Sequence, residues 1–413
     1  MAEPPAYMKA HLALEQNPLY VNIGISMLPH PFKTAEIAGH SPRGTRHIFV
    51  VVVEIEQTQH RLMNEYSFFY QSQHTEAQSS HYSSDPNLSE DAFFQTDVFF
   101  PDAKDKAVRK FTYLGVADGV GSWREYGVDP REFSHRFMEE CRNLLEEASQ
   151  HEGKPADSQT FRQVLAPAEV MAQAYQRLKA ENVIGSCTAC VALFDSIRHQ
   201  LHFSNLGDSG LIVLRHIDSD VAGSLKRDRV KPRTERHSDL QVSFVSQQQL
   251  RSFNHPFQLG WTGEELPAGE VSSFKTARDA CTSSIHVRRG DIIILATDGL
   301  FDNVDIDQIK DIALDWEQRH GFIRGGDIGA REHRWKMGNS LTTLSAERIG
   351  ELAHELCQQA RENSVNAELD SPFAILAKEN DIMWSGGMPD DCTVLAIHVV
   401  GRDANDLMDK PNL

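Results

Sequence analysis

Ile292-Ile-Ile-Leu-Ala-Thr-Asp-Gly299 is an uninterrupted apolar run that ends in a carboxylate followed by glycine. The same arrangement stands upstream in Leu114-Gly-Val-Ala-Asp-Gly119. Both runs read as core strands. A bare carboxylate at the end of a buried strand is costly, so it must be solvated or hold a cation. The glycine after it lets the backbone approach whatever the carboxylate holds. Two acidic pairs, Glu90-Asp91 and Asp390-Asp391, also adjoin apolar runs. Oxygen donors without a matching Cys/His set point to a hard cation, Mg²⁺ or Mn²⁺.

A chain of 413 residues can bury a large core, as one big domain or two smaller ones. The formal net charge of -18 disfavours binding to nucleic acid or to an anionic membrane surface. Most of those acids are read as solvated surface. The six cysteines are scattered, so no disulfide framework is expected and a reducing compartment fits. Cys187-Thr-Ala-Cys190 has redox or zinc spacing, but it lies in a strand-like run over 186–194. Residues three apart on a strand face opposite ways, so the pair is read as core. No run reaches transmembrane length. The first 40 residues carry Glu3, Glu15 and Glu36 and no arginine, a poor transit peptide that argues for the cytoplasm.

Working outward, strands are expected at 111–117, 187–194, 199–205, 211–216 and 392–400, with 283–287 and 291–297 paired around Arg289-Gly290. Asp129 followed by Pro130 signals a helix start. Further helices are expected over 167–180 and from a Ser345 cap to 363. Residues 1–22 read as an irregular segment, 23–400 as one domain and 401–413 as a tail. Polar stretches at 40–88, with a strand reading over 47–54, and at 317–343 read as insertions, and 218–240 as a charged connection. Runs of strands interrupted by helix pairs indicate an α+β fold with mostly antiparallel sheets.

Six carboxylates then stand out: Glu90, Asp91, Asp118, Asp208, Asp298 and Asp390, with Asp208 in Asn205-Leu-Gly-Asp-Ser-Gly210. Any one Asp-Gly pair is ordinarily a turn. Repeated carboxylates at strand ends imply that the ends converge on something positive.

These segments resemble the metal-dependent serine/threonine protein phosphatases of the PPM family (type two C), and within it the T-cell activation phosphatase homologues. The resemblance is carried by Ile25-Ser-Met-Leu-Pro-His-Pro31, Glu90-Asp-Ala-Phe-Phe94, Gly115-Val-Ala-Asp-Gly-Val-Gly-Ser-Trp123 and Tyr126-Gly-Val-Asp-Pro130. It continues through Ser186-Cys-Thr-Ala-Cys190, Asn205-Leu-Gly-Asp-Ser-Gly210, Pro256-Phe-Gln-Leu259, Ala296-Thr-Asp-Gly-Leu-Phe-Asp-Asn303, Ser371-Pro-Phe373 and Pro389-Asp-Asp-Cys-Thr393. It implies a sandwich of two antiparallel sheets flanked by helices, in α-β-β-α layers, with a metal cleft at one end. It also implies Asp118 bridging two Mg²⁺ or Mn²⁺ ions, the Gly119 carbonyl on one or other of them, Asp298 and Asp390 completing the first site, and Glu90 serving the second. Asp91 would orient the attacking water, and Asp208 with Asp298 would offer a weaker third site. Asp391 stands where the family has Asn, as a supporting residue. Asp118, Asp91 and Asp298 are thus the expected catalytic residues.

The implied reaction is hydrolysis of phosphoserine and phosphothreonine on proteins by activated water, without a covalent intermediate. Phosphorylated proteins are the expected partners, the chain a monomer, and the location mitochondrion or plastid. Two positions depart from the family: Val120 replaces a histidine, and Pro86 an arginine that grips phosphate. Lys33, His30 or Arg124 are substitutes for the latter, each otherwise read as a surface residue. The rival readings are a pseudophosphatase that acts as a binding module and a metal-dependent hydrolase of small phosphoesters.

Overall fold

A computed structural model describes residues 19–31, 89–101, 108–150, 164–218, 238–265, 272–322 and 339–401. The 40–88 stretch, with its expected strand reading over 47–54, lies outside them. The strands are β1 (Leu19–Leu28), β2 (Ala92–Pro101), β3 (Val108–Ala117), β4 (Gly185–Cys187), β5 (Ala189–Asp195), β6 (Gln200–Leu206) and β7 (Gly210–Asp218). They continue as β8 (Ser238–Val245), β9 (Leu250–Ser252), β10 (His255–Pro256), β11 (Leu259–Trp261), β12 (Cys281–His286), β13 (Ile292–Ala296) and β14 (Cys392–Gly401). The helices are α1 (Pro130–Gln150), α2 (Pro167–Ala180), α3 (Asp298–Phe301), α4 (Ile306–Arg319), α5 (Asn339–Ser364) and α6 (Pro372–Glu379).

One five-stranded antiparallel sheet runs β1-β14-β13-β7-β8, and the other runs β12-β6-β5-β3-β2. They pack face to face through Ile23, Ile25, Leu114, Val116, Phe203, Ile293, Leu295 and Ile397. The outer face of the first sheet, with Ile292, Ile294 and Ala296, packs on α4 and α5 through Trp316, Leu352 and Leu356. The outer face of the second, with Tyr113 and Ala117, packs on α1 and α2 through Phe133, Phe137 and Leu178. This explains why β13 has no polar alternation: both of its faces are covered. Each such aliphatic side chain contributes about 1.5–3 kcal/mol by leaving water.

Several local expectations hold. The Asp129 carboxylate accepts from Arg131 N at 3.0 Å and so caps the start of α1. The span of α2 is the one expected. Others need correction. Residues 283–287 and 291–297 are not a hairpin: β12 pairs with β6 at a sheet edge, and β13 pairs with β7 and β14 in the middle of the other sheet. Their patterns already differ, since β12 alternates between half-buried and exposed residues while β13 is buried throughout. The run over 186–194 is two strands: β4 pairs with β11 outside the main sheets, and Thr188 separates it from β5. Cys187 packs under the helices and Cys190 between the sheets, as free thiols facing opposite ways. Ser345 lies inside α5 rather than at its start, and its hydroxyl pairs with His398 Nδ1 at 2.8 Å. The connection read over 218–240 gives way to β8 from Ser238. α4 continues to Arg319 and Phe322 is fully buried, so the 317–343 stretch opens as core structure.

Candidate functional site

The two sheets present their carboxylate-bearing ends to the same side of the sandwich. Ala92 is opposite Ala117 in the β2–β3 register, so Glu90 and Asp91, before β2, meet Asp118, after β3. In the other sheet Ala296 is opposite both Gly210 and Val394. That places Asp208, Asp298, Asp390 and Asp391 together. The sheet geometry alone therefore gathers every acidic residue that the sequence singled out.

Both Asp-Gly glycines are required by close approach. A Cβ on Gly299 would lie 1.9 Å from the Asp391 carbonyl oxygen, and one on Gly119 would lie 2.5 Å from that of Pro130 and 2.8 Å from that of Glu90. No side chain fits at either position.

Hydrogen bonds fix the supporting frame. The Asp391 carboxylate accepts from Glu90 N at 2.8 Å and from His30 N, tying β14 to the ends of both β1 and the β2 lead. Thr297 Oγ1 donates to Asp91 Oδ2 at 2.8 Å and accepts from Thr393 N at 3.0 Å. Ser134 on α1 donates its hydroxyl to the Glu90 carbonyl at 2.5 Å. The carboxylate of Glu90 forms an ion pair with Arg124.

The electrostatics are those of crowded acids. Burial holds the Asp118 carboxyl well above the usual range, and the fields of Asp91, Asp390, Asp208 and Asp391 push it further. Burial likewise raises Asp298, helped by Asp118, Asp208, Asp390 and Asp302. Asp91 is raised by burial and then by Asp391, and Asp208 is pushed up to about 6 by burial. Asp302 belongs to this group: burial raises its carboxyl, and the fields of Asp208 and Asp390 add to that. Sequence reading passed over it. The signal was its spacing of four from Asp298 in Asp298-Gly-Leu-Phe-Asp302, one helical turn on.

The donor set suits a hard cation. The Oδ1 atoms of Asp91, Asp208 and Asp298 are buried and accept no hydrogen bond. Buried acceptors of this kind are expensive unless a cation satisfies them. Among the described residues no three His, Cys, Asp or Glu side chains close around one point as a finished ligand set. The carboxylates lie near enough to raise one another's proton affinity without converging on a single position.

Of the substitutes for the phosphate-gripping arginine, Lys33 lies outside the described residues. His30 contributes its backbone N–H to Asp391. Arg124 is more than surface, because it enters the acidic cleft at Glu90. Val120, in the place of the family's histidine, donates its N–H to Ser186 O at 3.1 Å.

No established family profile matches the chain. Curated relatives do. The protein phosphatase PTC7 homologue of Homo sapiens is 34% identical over 289 residues, spanning 70% of this chain and 75% of that protein. The homologue of Xenopus laevis is 33% identical over 284 residues, spanning 68% and 75%. Among solved structures, the photosystem II phosphatase PBCP superposes with a TM-score of 0.51 at 21% identity, covering 92% of this chain and 98% of that one, and so shares its fold. The relatives carry the PTC7 name, which refines the branch expected from the motifs. With antiparallel sheets flanked by helices and the acid-bearing strand ends together, the chain belongs to the PPM-type protein phosphatases, as a member of the PTC7 family.

Proposed function

We propose that this phosphatase hydrolyses phosphoserine and phosphothreonine on proteins with the help of a Mg²⁺ or Mn²⁺ pair held by the strand-end carboxylates. The observation that carries the reading is the set of buried, unpartnered oxygens on Asp91, Asp208 and Asp298 in one cleft. Asp118, Asp298 and Asp390 would hold one ion and Asp118 with Glu90 the other, the Gly119 carbonyl serving one of the two. Asp208, Asp298 and Asp302 would offer a weaker third position. Bound ions of this kind supply a water of lowered pKa and screen the phosphate's charge from the acids.

The chain's own residues do the rest. Asp91, held through Oδ2 by Thr297, presents its free Oδ1 to accept a hydrogen bond from the attacking water. Asp391 keeps Glu90 in register through its backbone N–H. Five of the six cysteines are buried and serve packing, Cys281 being half-buried; burial pushes the Cys187 thiol well above its ordinary value, so it is no nucleophile.

Release of phosphate from a phosphothreonine peptide, with and without Mn²⁺, tests the reading. Metal-dependent release that disappears in Asp118→Asn supports it. No release with metal present favours the binding-module reading, for which Val120 is the specific observation. Faster turnover of sugar phosphates than of phosphopeptides favours the small-phosphoester reading. For location we infer the mitochondrion from the family resemblance; a fluorescent fusion spread through the cytosol overturns that.

A further inference from the structure

The 3-10 turn Gly121–Tyr126 joins the Asp118-Gly119 corner to α1 and is held rigidly. Val120 N donates to Ser186 O at 3.1 Å, and the Trp123 indole donates to Ser186 Oγ at 2.7 Å. Trp123 also stacks on Phe274 with ring centroids 6.2 Å apart. Gly127, at φ 74°, closes the turn with its N–H on the Arg124 carbonyl at 3.0 Å. These contacts fix the backbone of Arg124 close to the Asp118-Gly119 corner.

Its side chain joins two environments. It is 49% exposed, yet the guanidinium reaches Glu90, whose side chain is only 4% exposed. Gly121 leaves the room for this: a Cβ there would lie 3.2 Å from Glu90 Oε2 and 3.3 Å from Arg124 Nη1. A guanidinium has five N–H donors in a planar fork, more than one carboxylate can accept. That fork matches two phosphate oxygens as well as it matches a carboxylate. A cleft of clustered acids repels a phosphate dianion, so recognition needs a cation on the side from which substrate enters.

We propose that Arg124 binds the phosphate group of the substrate, with Glu90 as its resting partner. This rests on the proposed phosphatase reading for the identity of the phosphate ester. With Glu90 engaged as a metal ligand, its carboxylate would no longer hold the guanidinium, and Arg124 would pair with the incoming phosphate, so metal loading and phosphate binding would be coupled through this residue.

The test uses Arg124→Ala and Arg124→Lys in the full chain. Arg124→Ala is expected to raise KM for a phosphothreonine peptide about 10- to 100-fold, the loss of a charge-assisted contact. Its kcat should stay within about threefold, the signature of a lost binding contact. Binding of inorganic phosphate to the Mg²⁺-loaded protein, by calorimetry, should weaken by the same factor, and Arg124→Lys should recover part of it. Mn²⁺ affinity should stay equal or tighten, because Glu90 loses a competing cation. Unchanged KM and phosphate affinity, or weakened Mn²⁺ binding with a fallen kcat, overturns the proposal and makes Arg124 a prop for Glu90. If the wild type releases no phosphate, the proposed function fails, and the calorimetric comparison still decides Arg124.

Discussion

β13 has a buried aspartate at each end, and the two are treated in opposite ways. Asp291, just before the strand, is met by Arg215 in a bidentate pair, with Nε at 2.9 Å and Nη2 at 2.6 Å, and accepts Arg288 N at 2.8 Å. Asp298, just after it, has an unpartnered Oδ1 and stands among Asp118, Asp208, Asp390 and Asp302. Both flank the same strand, and both are nearly inaccessible, at 1% and 8%. Burial of a carboxylate is thus no mark of function in this fold. The mark is the missing counter-charge. Asp291 is finished by the chain itself, and Asp298 is the end where the proposed cation would supply the counter-charge.

The contrast predicts opposite responses to the same chemical change. Asp298→Asn should cost activity on the order of 10²–10³-fold, the scale of losing one electrostatic contact to a reacting centre. It should also raise the melting temperature measured in EDTA, because it removes a repelled charge. Stability gained where function is lost is a known trade at such sites. Asp291→Asn should leave kcat unchanged and destabilise the fold by about 3 kcal/mol, since Arg215 is left without its partner. Thermal melts and phosphopeptide assays on the pair read both effects; a lower melting temperature for Asp298→Asn in EDTA would sink the comparison.

The next effect is pH dependence. Asp208 has its carboxyl pushed from 3.8 to about 6 by burial. Between those values the folded chain keeps a proton that the unfolded chain has lost, so this group's contribution to stability falls as pH rises through the window. The size is of order 3 kcal/mol once pH passes about 6. In EDTA, Asp208→Asn should match the wild type near pH 4 and exceed it in stability at pH 7. Divalent cation should close that gap by stabilising the wild type more. Equal stability at pH 7 in EDTA counts against burial holding the Asp208 carboxyl up.

How much of this was legible follows the same division. The strand ends at Asp118 and Asp298 were legible because runs buried on both faces show as unbroken apolar stretches, and a carboxylate breaks the pattern visibly. α1 and α2 were legible from Asp129-Pro130 and from helical spacing, which are local signals. β1 was not. Its partner is β14, with Leu19 opposite Gly401, and nothing near it in sequence reports that pairing. Arg289-Gly290 carries a turn signal, yet the strands on either side belong to different sheets, and their differing burial is where that shows. The Arg124–Glu90 contact needs the 3-10 turn to fold the guanidinium back, and spacing carries no trace of it.

The smallest effect is the sharpest, because it separates orientation from charge. Thr297 carries no charge, yet its hydroxyl links Asp91 Oδ2 to Thr393 N. Thr297→Val keeps the shape and removes that link, which leaves a buried donor and acceptor unmet at about 1–3 kcal/mol. The Thr297 hydrogen bond also lowers the Asp91 carboxyl against the burial that raises it. Without it Asp91 should take up its proton at higher pH, so the acidic limb of the kcat/KM profile should move toward neutrality while kcat falls about tenfold. Asp291 offers the control: Arg288→Ala keeps its backbone N–H on Asp291 and should shift no limb at all. A Thr297→Val enzyme with an unmoved acidic limb would mean that Asp91 has no part in handling the attacking water.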